Sequence, residues 1–337
     1  MYQQVKSQAV YKFSVIMPCY NSEEYIEKAI ESILSQSYPW WELIIVNDGS
    51  TDKTLEIISD YEMRDSRIKV YSKENGGYSS AVNCGLNHIS GDYFLLLGSD
   101  DWLSDELFQT LSDNINNLEN TPDCIAFRSV KVIDGFPVKL DSYTCFGSVA
   151  FEYDTSLKKF MDCHPEHAAI FCVRDTSKCF HKDLLQDLYY YGRYGIDADG
   201  IFSLLLCHRA NSFLSIPFDG YYWTIRTGSV SSSISLEKHI DRISNWSRFF
   251  EEAKKLDSGD ITDFEKNYII SQSHFVVELG AEVKNAVRYY RFIQDNARRV
   301  KEIADKFEIK NVHPGVGLAM MSPIVLSFAL LLRGRLK

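Results

Sequence analysis

The sequence has no closely spaced cysteine pair of the kind that holds structural zinc. Its eight cysteines are scattered along 337 residues, and none forms a C-x-x-C pair with another. A long apolar stretch is also missing near the start, because Lys12 precedes a short apolar run at 13–17. We therefore expect reduced, mostly buried thiols in a cytosolic protein, and neither a disulfide scaffold nor a zinc centre.

The chain also lacks an excess of basic residues. It has 36 Lys and Arg against 46 Asp and Glu, a net charge of −10, whereas nucleic-acid-binding proteins usually carry a basic excess. Hydrophobic residues make up 45% of the chain and charged residues 24%, which is enough to form an ordinary core. We expect no nucleic-acid partner.

Charge is absent from one long stretch near the C-terminus. Residues 312–332 contain no Lys, Arg, Asp or Glu, but Pro314 and Pro323 interrupt them, and a membrane-spanning helix needs roughly 20 apolar residues. We expect residues 312–337 to make a peripheral contact with the inner face of the cell membrane. A hydrophobic helix packed on the protein is the alternative. Upstream basic residues would add attraction to anionic lipid: Arg288, Arg291, Arg298, Arg299 and Lys301.

Strand and helix patterns alternate over the first hundred residues. Short apolar runs at 13–17, 43–46, 68–71 and 93–97 predict buried strands, and helical patterns lie between them. Four such units predict an α/β fold, with a mostly parallel sheet and helices on both faces.

Downstream of residue 103 the pattern is less regular. Helices are predicted at 105–118, 184–191 and 199–208, and a strand at 213–224. A serine-rich stretch at 229–235 marks a boundary, and amphipathic patterns beyond it predict a C-terminal helical extension. The predicted parts are a first domain at 1–232, the helical extension at 233–311 and the apolar tail at 312–337.

Polar loops follow all four predicted strands. They read Pro18-Cys-Tyr-Asn21, Asn47-Asp-Gly-Ser-Thr-Asp52, Asn75-Gly-Gly77 and Gly98-Ser-Asp-Asp101. For any single loop the plain alternative is that Gly, Asn and Asp serve a turn. Four such loops predict one concave polar site, because parallel sheets bind ligands beyond the carboxyl ends of their strands.

Two adjacent acids end the last of these loops. Asp100 and Asp101 would repel each other beyond a hydrophobic strand unless a cation joined them. Carboxylate oxygens suit Mg²⁺ or Mn²⁺, and such a cation would bridge a diphosphate. The alternative is that one of the two acids caps the helix after Trp102.

In combination, these motifs resemble the family 2 glycosyltransferases of GT-A fold, of the bacterial surface-polysaccharide type. The resemblance implies an inverting transfer of a sugar from a nucleotide-diphosphate donor, with UDP-sugar the expected one. The acceptor would be a hydroxyl of a saccharide or lipid-linked saccharide, and the cofactor Mn²⁺ or Mg²⁺. The motifs lie within residues 13–103 and read Val15-Ile-Met-Pro-Cys-Tyr-Asn21, Val46-Asn-Asp-Gly-Ser-Thr-Asp52, Asn75-Gly-Gly77 with Asn83, and Leu97-Gly-Ser-Asp-Asp-Trp-Leu103.

The resemblance also assigns roles to individual positions. Tyr20 and Asn21 would line the nucleoside pocket, and Asp48 would accept an N–H of the base. Asp100 and Asp101 would stand where the family's ribose- and metal-binding acids stand. The implied donor-binding residues are Pro18, Tyr20, Asn21, Asp48, Asn75, Gly76, Gly77, Asn83, Asp100 and Arg226, and the implied metal ligands are Asp100 and Asp101.

Two positions depart from the family's common pattern. Gly98 replaces the first acid of the acidic motif, and Val82 stands where relatives often carry arginine. These departures leave open a degenerate module that binds a nucleotide-sugar without turnover. A nucleotidyltransferase is the other rival, but it would need a glycine- and basic-rich loop after the first strand, where residues 18–24 are acidic and contain no glycine.

An inverting transfer needs a base that takes the acceptor's proton. The stretch Gly195-Ile-Asp-Ala-Asp-Gly-Ile-Phe-Ser-Leu204 resembles the family's Glu-Asp motif at the start of a helix. In this register Ala198 replaces the usual Glu and Asp199 is the catalytic base, with Asp197 as its competitor. The positive end of the helix dipole would keep the carboxylate ionised. The alternative role for this acid is a plain N-cap.

Overall fold

The computed structural model describes most of the first 225 residues and part of the remainder. The chain divides into two compact units, residues 1–245 and 246–337, whereas the predicted domain boundaries at 232 and 311 stay predictions. The described residues are 9–133, 136–138, 149–152, 176–190, 192, 198–225, 287–306, 308–314 and 316–323, and the single positions 245, 248, 249, 252, 270 and 326.

Alternating strands and helices build the first part of the chain, as predicted. The helix predicted at 199–208 and the strand predicted at 213–224 are also confirmed. Up to residue 96 the elements are β1 Phe13–Cys19, α1 Ile26–Leu34, β2 Trp41–Asn47, α2 Thr54–Arg64, β3 Ile68–Ser72, α3 Tyr78–Leu86 and β4 Tyr93–Leu96. Those that follow are β5 Trp102–Leu103, α4 Leu107–Asn116, β6 Cys124–Ile133, β7 Phe136–Val138, β8 Val149–Glu152, β9 Lys178–His181, α5 Ala198–Arg209 and β10 Ser212–Ile225.

The ten described strands form one sheet. Its order is β3-β2-β1-β4-β9-β6-β10-β5, with β7 paired to β6 and β8 to β10. The first four strands in this order run parallel, and so do β6 and β10. In contrast, β9 is antiparallel to both its neighbours and β5 is antiparallel to β10. The carboxyl ends of β1 to β4 therefore share one edge of the sheet, where ligands bind in such folds.

Strand β1 lies in the core of the sheet. All seven of its residues are buried, as expected of a strand that helices cover on both faces. On one face Val15 and Met17 pack in the main core with the apolar side of α1. On the other face Ile16 lies so close to Gly85 of α3 that any side chain at position 85 would clash with it. The helices are thereby fixed directly against the strands that carry the polar loops.

The predicted helix at 184–191 is wrong. A short 3₁₀ helix, Lys182–Leu184, is followed by turns and extended chain. The backbone of Gln186 is left-handed, with φ of 39°, a conformation that ends a helix. Further along, both backbone polar groups of Tyr190 bond to the side chain of Asn83. A tertiary contact therefore overrides the local helical pattern.

Glu42 joins chain segments at the opposite edge of the sheet, where β1, β2 and β4 begin. Its carboxylate accepts hydrogen bonds from Lys12 Nζ at 2.7 Å, Ser14 Oγ at 2.6 Å and Ser90 Oγ at 2.7 Å. Burial raises the pKa of Glu42, but the hydrogen bonds from these three residues outweigh burial and lower that pKa to about 2.

We expect Glu42→Gln to lower the free energy of unfolding at neutral pH by about 2 kcal/mol, because one pKa unit corresponds to about 1.4 kcal/mol. Since the folded pKa is depressed, the stabilisation is present above the ordinary value of 4.5 and is lost as pH falls toward about 2. Urea unfolding across this pH range measures both effects. A difference between wild type and variant that does not shrink on acidification would contradict the assignment.

The second unit contains two described helices, of which the first lies within the predicted helical extension at 233–311 and the second within the predicted apolar tail. Helix α6 spans Tyr290–Lys306 and α7 spans Val316–Met321. Val300, Ile303 and Ala304 are buried on α6 at the spacing of one helix face, so the amphipathic pattern predicted for this part of the chain is confirmed there. Within the described parts of the chain, no helix combines the length and apolarity needed to cross a membrane.

Candidate functional site

Hydrogen bonds join the polar loop after β1 to the loops after β2 and β4. Asn21 has a left-handed backbone, with φ of 48°. Its N–H donates to Ser50 Oγ at 3.0 Å, and its Oδ1 accepts from the N–H of Thr51 at 2.8 Å. The buried hydroxyls of Ser22 and Ser99 lie 2.8 Å apart and share a hydrogen bond. Asn21 therefore holds the loop after β1 against the loop after β2.

Asp48 joins the loop after β2 to the loop after β3. Its side chain is buried. Oδ1 accepts from Lys73 Nζ at 2.7 Å and from the N–H of Gly76 at 3.0 Å. Oδ2 accepts from the N–H of Gly77 at 2.8 Å. A buried carboxylate with these three donors fixes the Asn75-Gly-Gly77 loop in place.

Close contacts with neighbouring backbone and side-chain atoms explain why glycine occurs at positions 49 and 76 of these loops. A Cβ added to Gly49 would lie 2.9 Å from the backbone N of Asn75, and one added to Gly76 would lie 2.6 Å from Ser80 Oγ. Gly49 and Gly77 also have positive φ angles of 75° and 86°, which glycine adopts without the cost that a side chain adds. Side chains here would push the loops apart.

Asp101 connects the loop after β4 to strand β10. Its Oδ2 accepts from the Tyr221 hydroxyl at 2.6 Å, and its Oδ1 accepts from the N–H of Thr224 at 2.8 Å. The same hydroxyl accepts from the N–H of Gly98 at 3.2 Å. Burial raises the pKa of Tyr221, and the nearby charge of Asp101 raises it further. Tyr221 therefore stays protonated and donates to the carboxylate.

We expect Tyr221→Phe to lower the free energy of unfolding by about 1.5–3 kcal/mol, because the buried carboxylate of Asp101 loses a donor. Tyr222→Phe is the matched control, since Tyr222 is half-buried and its ring stacks on Trp102. Chemical denaturation of both variants measures the difference. Equal stabilities for the two variants would show that the bond to Asp101 contributes little.

The space beside Gly98 lies between two carboxylates. A Cβ added there would be 2.8 Å from Asp101 Oδ2 and 3.1 Å from Asp100 Oδ1. The described residues contain no group of three or more His, Cys, Asp or Glu side chains able to hold a metal ion. Two carboxylates therefore fit Mg²⁺ or Mn²⁺ only where a ligand such as a diphosphate supplies further oxygens. The helix after Trp102, α4, has Glu106 at its N-cap position, so neither Asp100 nor Asp101 is its N-cap.

Asp199 is the second residue of α5 and is half-buried. One turn later, the ring of Phe202 packs on Tyr190 with the ring centroids 4.4 Å apart. Tyr190 is held in turn by Asn83 of α3, whose Nδ2 donates to its carbonyl at 2.9 Å and whose Oδ1 accepts from its N–H at 2.7 Å. The start of α5 is thereby fixed against α3. Asp197, the competing base, and Arg226 lie outside the described residues.

Cys19, at the end of β1, is no nucleophile. Burial raises its pKa to about 12, with the nearby charges of Asp52 and Asp48 adding to the effect, so the thiol is protonated at neutral pH. The five described cysteines form no disulfide with one another, and four of them are buried, as predicted for most of the thiols: Cys19, Cys84, Cys124, Cys179 and Cys207. The predictions for Cys145, Cys163 and Cys172 fall outside the described residues.

Sequence reasoning overlooked Lys73 and Tyr221. Lys73 immediately precedes the Glu-Asn-Gly-Gly stretch, so its position could have suggested a role in the site. Tyr221 contacts Asp101 across 120 residues, and no local pattern marks such a contact.

Val82 is fully buried, so this side chain packs in the core. Tyr20 is 50% exposed beside the loops.

The same fold occurs in solved structures of S. aureus TarS. Residues 1–349 of S. aureus TarS in complex with UDP-GlcNAc match with a TM-score of 0.70 and 22% identity, over 95% of this chain and 90% of that chain. The same fragment in complex with UDP matches with a TM-score of 0.66 and 21% identity, over the same shares. The fold is therefore GT-A, with the predicted α/β sheet and flanking helices.

Residues 14–177 match the sequence model of glycosyl transferase family 2. Glycosyltransferase GlyA of Streptococcus pneumoniae serotype 4 is 43% identical over 104 residues, 31% of this chain and 15% of the relative. The putative teichuronic acid biosynthesis glycosyltransferase TuaG of Bacillus subtilis is 48% identical over 100 residues, 29% of this chain and 40% of the relative. The chain thus spans less than half the length of either curated relative.

Proposed function

We propose that the chain is an inverting glycosyltransferase that moves a sugar from a UDP-sugar to a hydroxyl of a saccharide or lipid-linked saccharide. The observation that carries this proposal is the joining of the four polar loops through Asn21, Asp48 and the Ser22–Ser99 pair. The match of residues 14–177 to the model of glycosyl transferase family 2 supports the reaction class. The TarS complexes with UDP-GlcNAc and UDP support the donor class by analogy of fold.

The donor nucleotide is proposed to lie along the first three loops. Tyr20 presents a half-exposed ring for contact with the nucleoside. Asp48 is placed to accept an N–H from the base, because one lone-pair position remains on its Oδ2. Asn21 and Asn83 act on donor binding by holding the surrounding backbone. The other proposed donor contacts are Pro18, Asn75, Gly76, Gly77, Asp100 and Arg226.

Asp100 and Asp101 are the proposed ligands of Mn²⁺ or Mg²⁺. When bound, the cation would neutralise negative charge on the diphosphate leaving group. The chain itself orients the carboxylate of Asp101, which accepts hydrogen bonds from the Tyr221 hydroxyl and from the N–H of Thr224. Such supporting hydrogen bonds fix the direction of a metal-ligating oxygen.

Asp199 is the proposed base. At the first turn of α5, the helix dipole favours its ionised form, which can take the proton of the acceptor hydroxyl as that oxygen attacks the anomeric carbon. The attack forms a new C–O bond on one face of the sugar while the bond to the diphosphate breaks on the other, so configuration inverts. Holding both substrates in this arrangement supplies part of the acceleration.

The place of action is proposed to be the cytoplasmic face of the cell membrane. Arg291, Arg298 and Arg299 are exposed on α6, and the apolar tail at 312–337 would add a second, weak attraction to the membrane. In this proposal residues 1–232 form the catalytic domain and residues 233–311 the helical extension. Removal of residues 312–337 would then shift the protein from vesicles to solution in a flotation assay.

Release of UDP from a panel of UDP-sugars tests the proposal. With Mn²⁺ and a lipid-linked saccharide acceptor, we expect acceptor-dependent release of UDP from at least one UDP-sugar.

The second candidate function, a binding module without turnover, is favoured by Gly98, which contributes no third carboxylate. That candidate predicts binding of UDP-sugars and no release under any condition. Absence of both binding and release would contradict both functions.

A further inference from the structure

Lys73 lies in the loop that follows β3 and contacts Asp48, although none of the sequence motifs quoted above includes it. Its Nζ lies 2.7 Å from Asp48 Oδ1 and 2.5 Å from the carbonyl oxygen of Glu74. A Cβ added to Gly76 would lie 2.9 Å from the same nitrogen. The ammonium group therefore sits within the Asn75-Gly-Gly77 loop, and the side chain is still 26% exposed.

The hydrogen-bonding capacity of Asp48 is almost filled. A carboxylate offers about four lone-pair positions, two on each oxygen. Lys73 and the N–H of Gly76 occupy both positions on Oδ1, and the N–H of Gly77 occupies one on Oδ2. One acceptor position remains, on Oδ2, once the contacts among the described residues are counted.

The hydrogen-bond donors of Lys73 are also partly used. A lysine ammonium has three N–H donors and no acceptor, and two of the three are directed at Asp48 and Glu74. One donor remains in the part of the chain that the structure describes. Asp48 thus offers one remaining acceptor next to one remaining donor of Lys73.

Nucleobases differ in how well they fit this pair. Uracil presents one N–H flanked by carbonyl oxygens, so it satisfies the acceptor and the donor together. Cytosine presents a ring nitrogen acceptor and an amino donor, the reverse arrangement. Guanine presents a carbonyl oxygen next to an N–H, as uracil does, but its 2-amino group adds a second N–H donor that needs a second acceptor position. A site that leaves a buried polar group unpaired rejects the ligand strongly.

We infer that Lys73 is a specificity-determining residue, which selects uracil by filling one position on Asp48 and offering its remaining N–H to a carbonyl of the base. This inference rests on the proposed function, because it assumes that the loops hold a nucleotide. It differs from the role expected of Asp48, since it assigns the choice between bases to the lysine. A lysine that merely held the loop would support every nucleotide equally.

Calorimetric titration with UDP, CDP and GDP tests the inference. Wild type should bind UDP at least about tenfold more tightly than CDP or GDP, a difference equivalent to one good hydrogen bond. Lys73→Met should weaken UDP binding about tenfold and lower the UDP-to-CDP and UDP-to-GDP ratios toward one. Lys73→Gln, which keeps a neutral donor, should give ratios between those of wild type and Lys73→Met.

Lys69→Met is the matched control, because Lys69 is exposed on the adjacent strand β3 and its ratios should equal those of wild type. Thermal melts establish that each variant is folded. Uniform weakening of all three nucleotides in both Lys73 variants, or ratios unchanged from wild type, would overturn the specificity role and leave the proposed function intact. Failure of folded wild type to bind any of the three would instead overturn the proposed function, and the inference with it.

Discussion

Replacement of Asp199 by asparagine is expected to lower kcat by about 10²- to 10⁴-fold, the usual contribution of a general base. Asparagine keeps the shape of the side chain but cannot take the acceptor's proton. Donor binding should change by no more than about twofold, because the lost interaction belongs to the reacting state. Initial-rate kinetics with the UDP-sugar and acceptor, together with titration of UDP, separate the two effects.

Asp113→Asn is a suitable control for this experiment. Asp113 is exposed on α4, so the variant should retain wild-type kcat. A fall in kcat and UDP affinity together in Asp199→Asn would indicate a structural role for this carboxylate. Wild-type kcat in the same variant would assign the base elsewhere, and Asp197 would be the next residue to test.

Asp48→Asn is expected to weaken UDP binding by about 10²-fold or more. The change removes the carboxylate that Lys73 and the N–H groups of Gly76 and Gly77 bond to, so the Asn75-Gly-Gly77 loop loses the position that is proposed to contact the nucleotide. A 10²-fold change in affinity corresponds to about 2.7 kcal/mol of binding free energy. The amide also has a single acceptor oxygen for the N–H groups of Gly76 and Gly77.

Titration of UDP into the Asp48 variant measures the loss, and Asp60→Asn controls for the change of charge, since Asp60 is exposed on α2. The control should bind UDP like wild type. Undiminished UDP binding in Asp48→Asn would mean that the Asn75-Gly-Gly77 loop is not held by this carboxylate, or that the loop does not contact the nucleotide.

Local sequence patterns were sufficient to predict the first four β–α units. The buried face of α1 follows from the spacing of Ile26, Ala29 and Ile33, because an amphipathic helix has a period near 3.6 residues. The position of the polar loops follows from strand direction, since parallel strands end at a common edge. These features depend on neighbours in sequence, which is why they were predictable.

Contacts between distant residues were not predictable in the same way. Strand β9 inserts antiparallel between β4 and β6, although its four residues carry no signal for that register. Tyr221 reaches Asp101 across 120 residues, and Asn83 fixes Tyr190 across 107 residues. Such partners are set by packing of the complete sheet, so the support of Asp101 and the start of α5 could only be found in the structure.

Stabilisation of the folded chain by UDP tests the central claim most directly, because it asks whether the four joined loops hold a nucleotide at all. With Mn²⁺ present and UDP at about 100 times its Kd, binding to the folded state should add about 2.7 kcal/mol to the free energy of unfolding. A saturable rise in the melting temperature is expected for wild type, and a strongly reduced rise is expected for Asp48→Asn. No rise with UDP or with any UDP-sugar would contradict the claim.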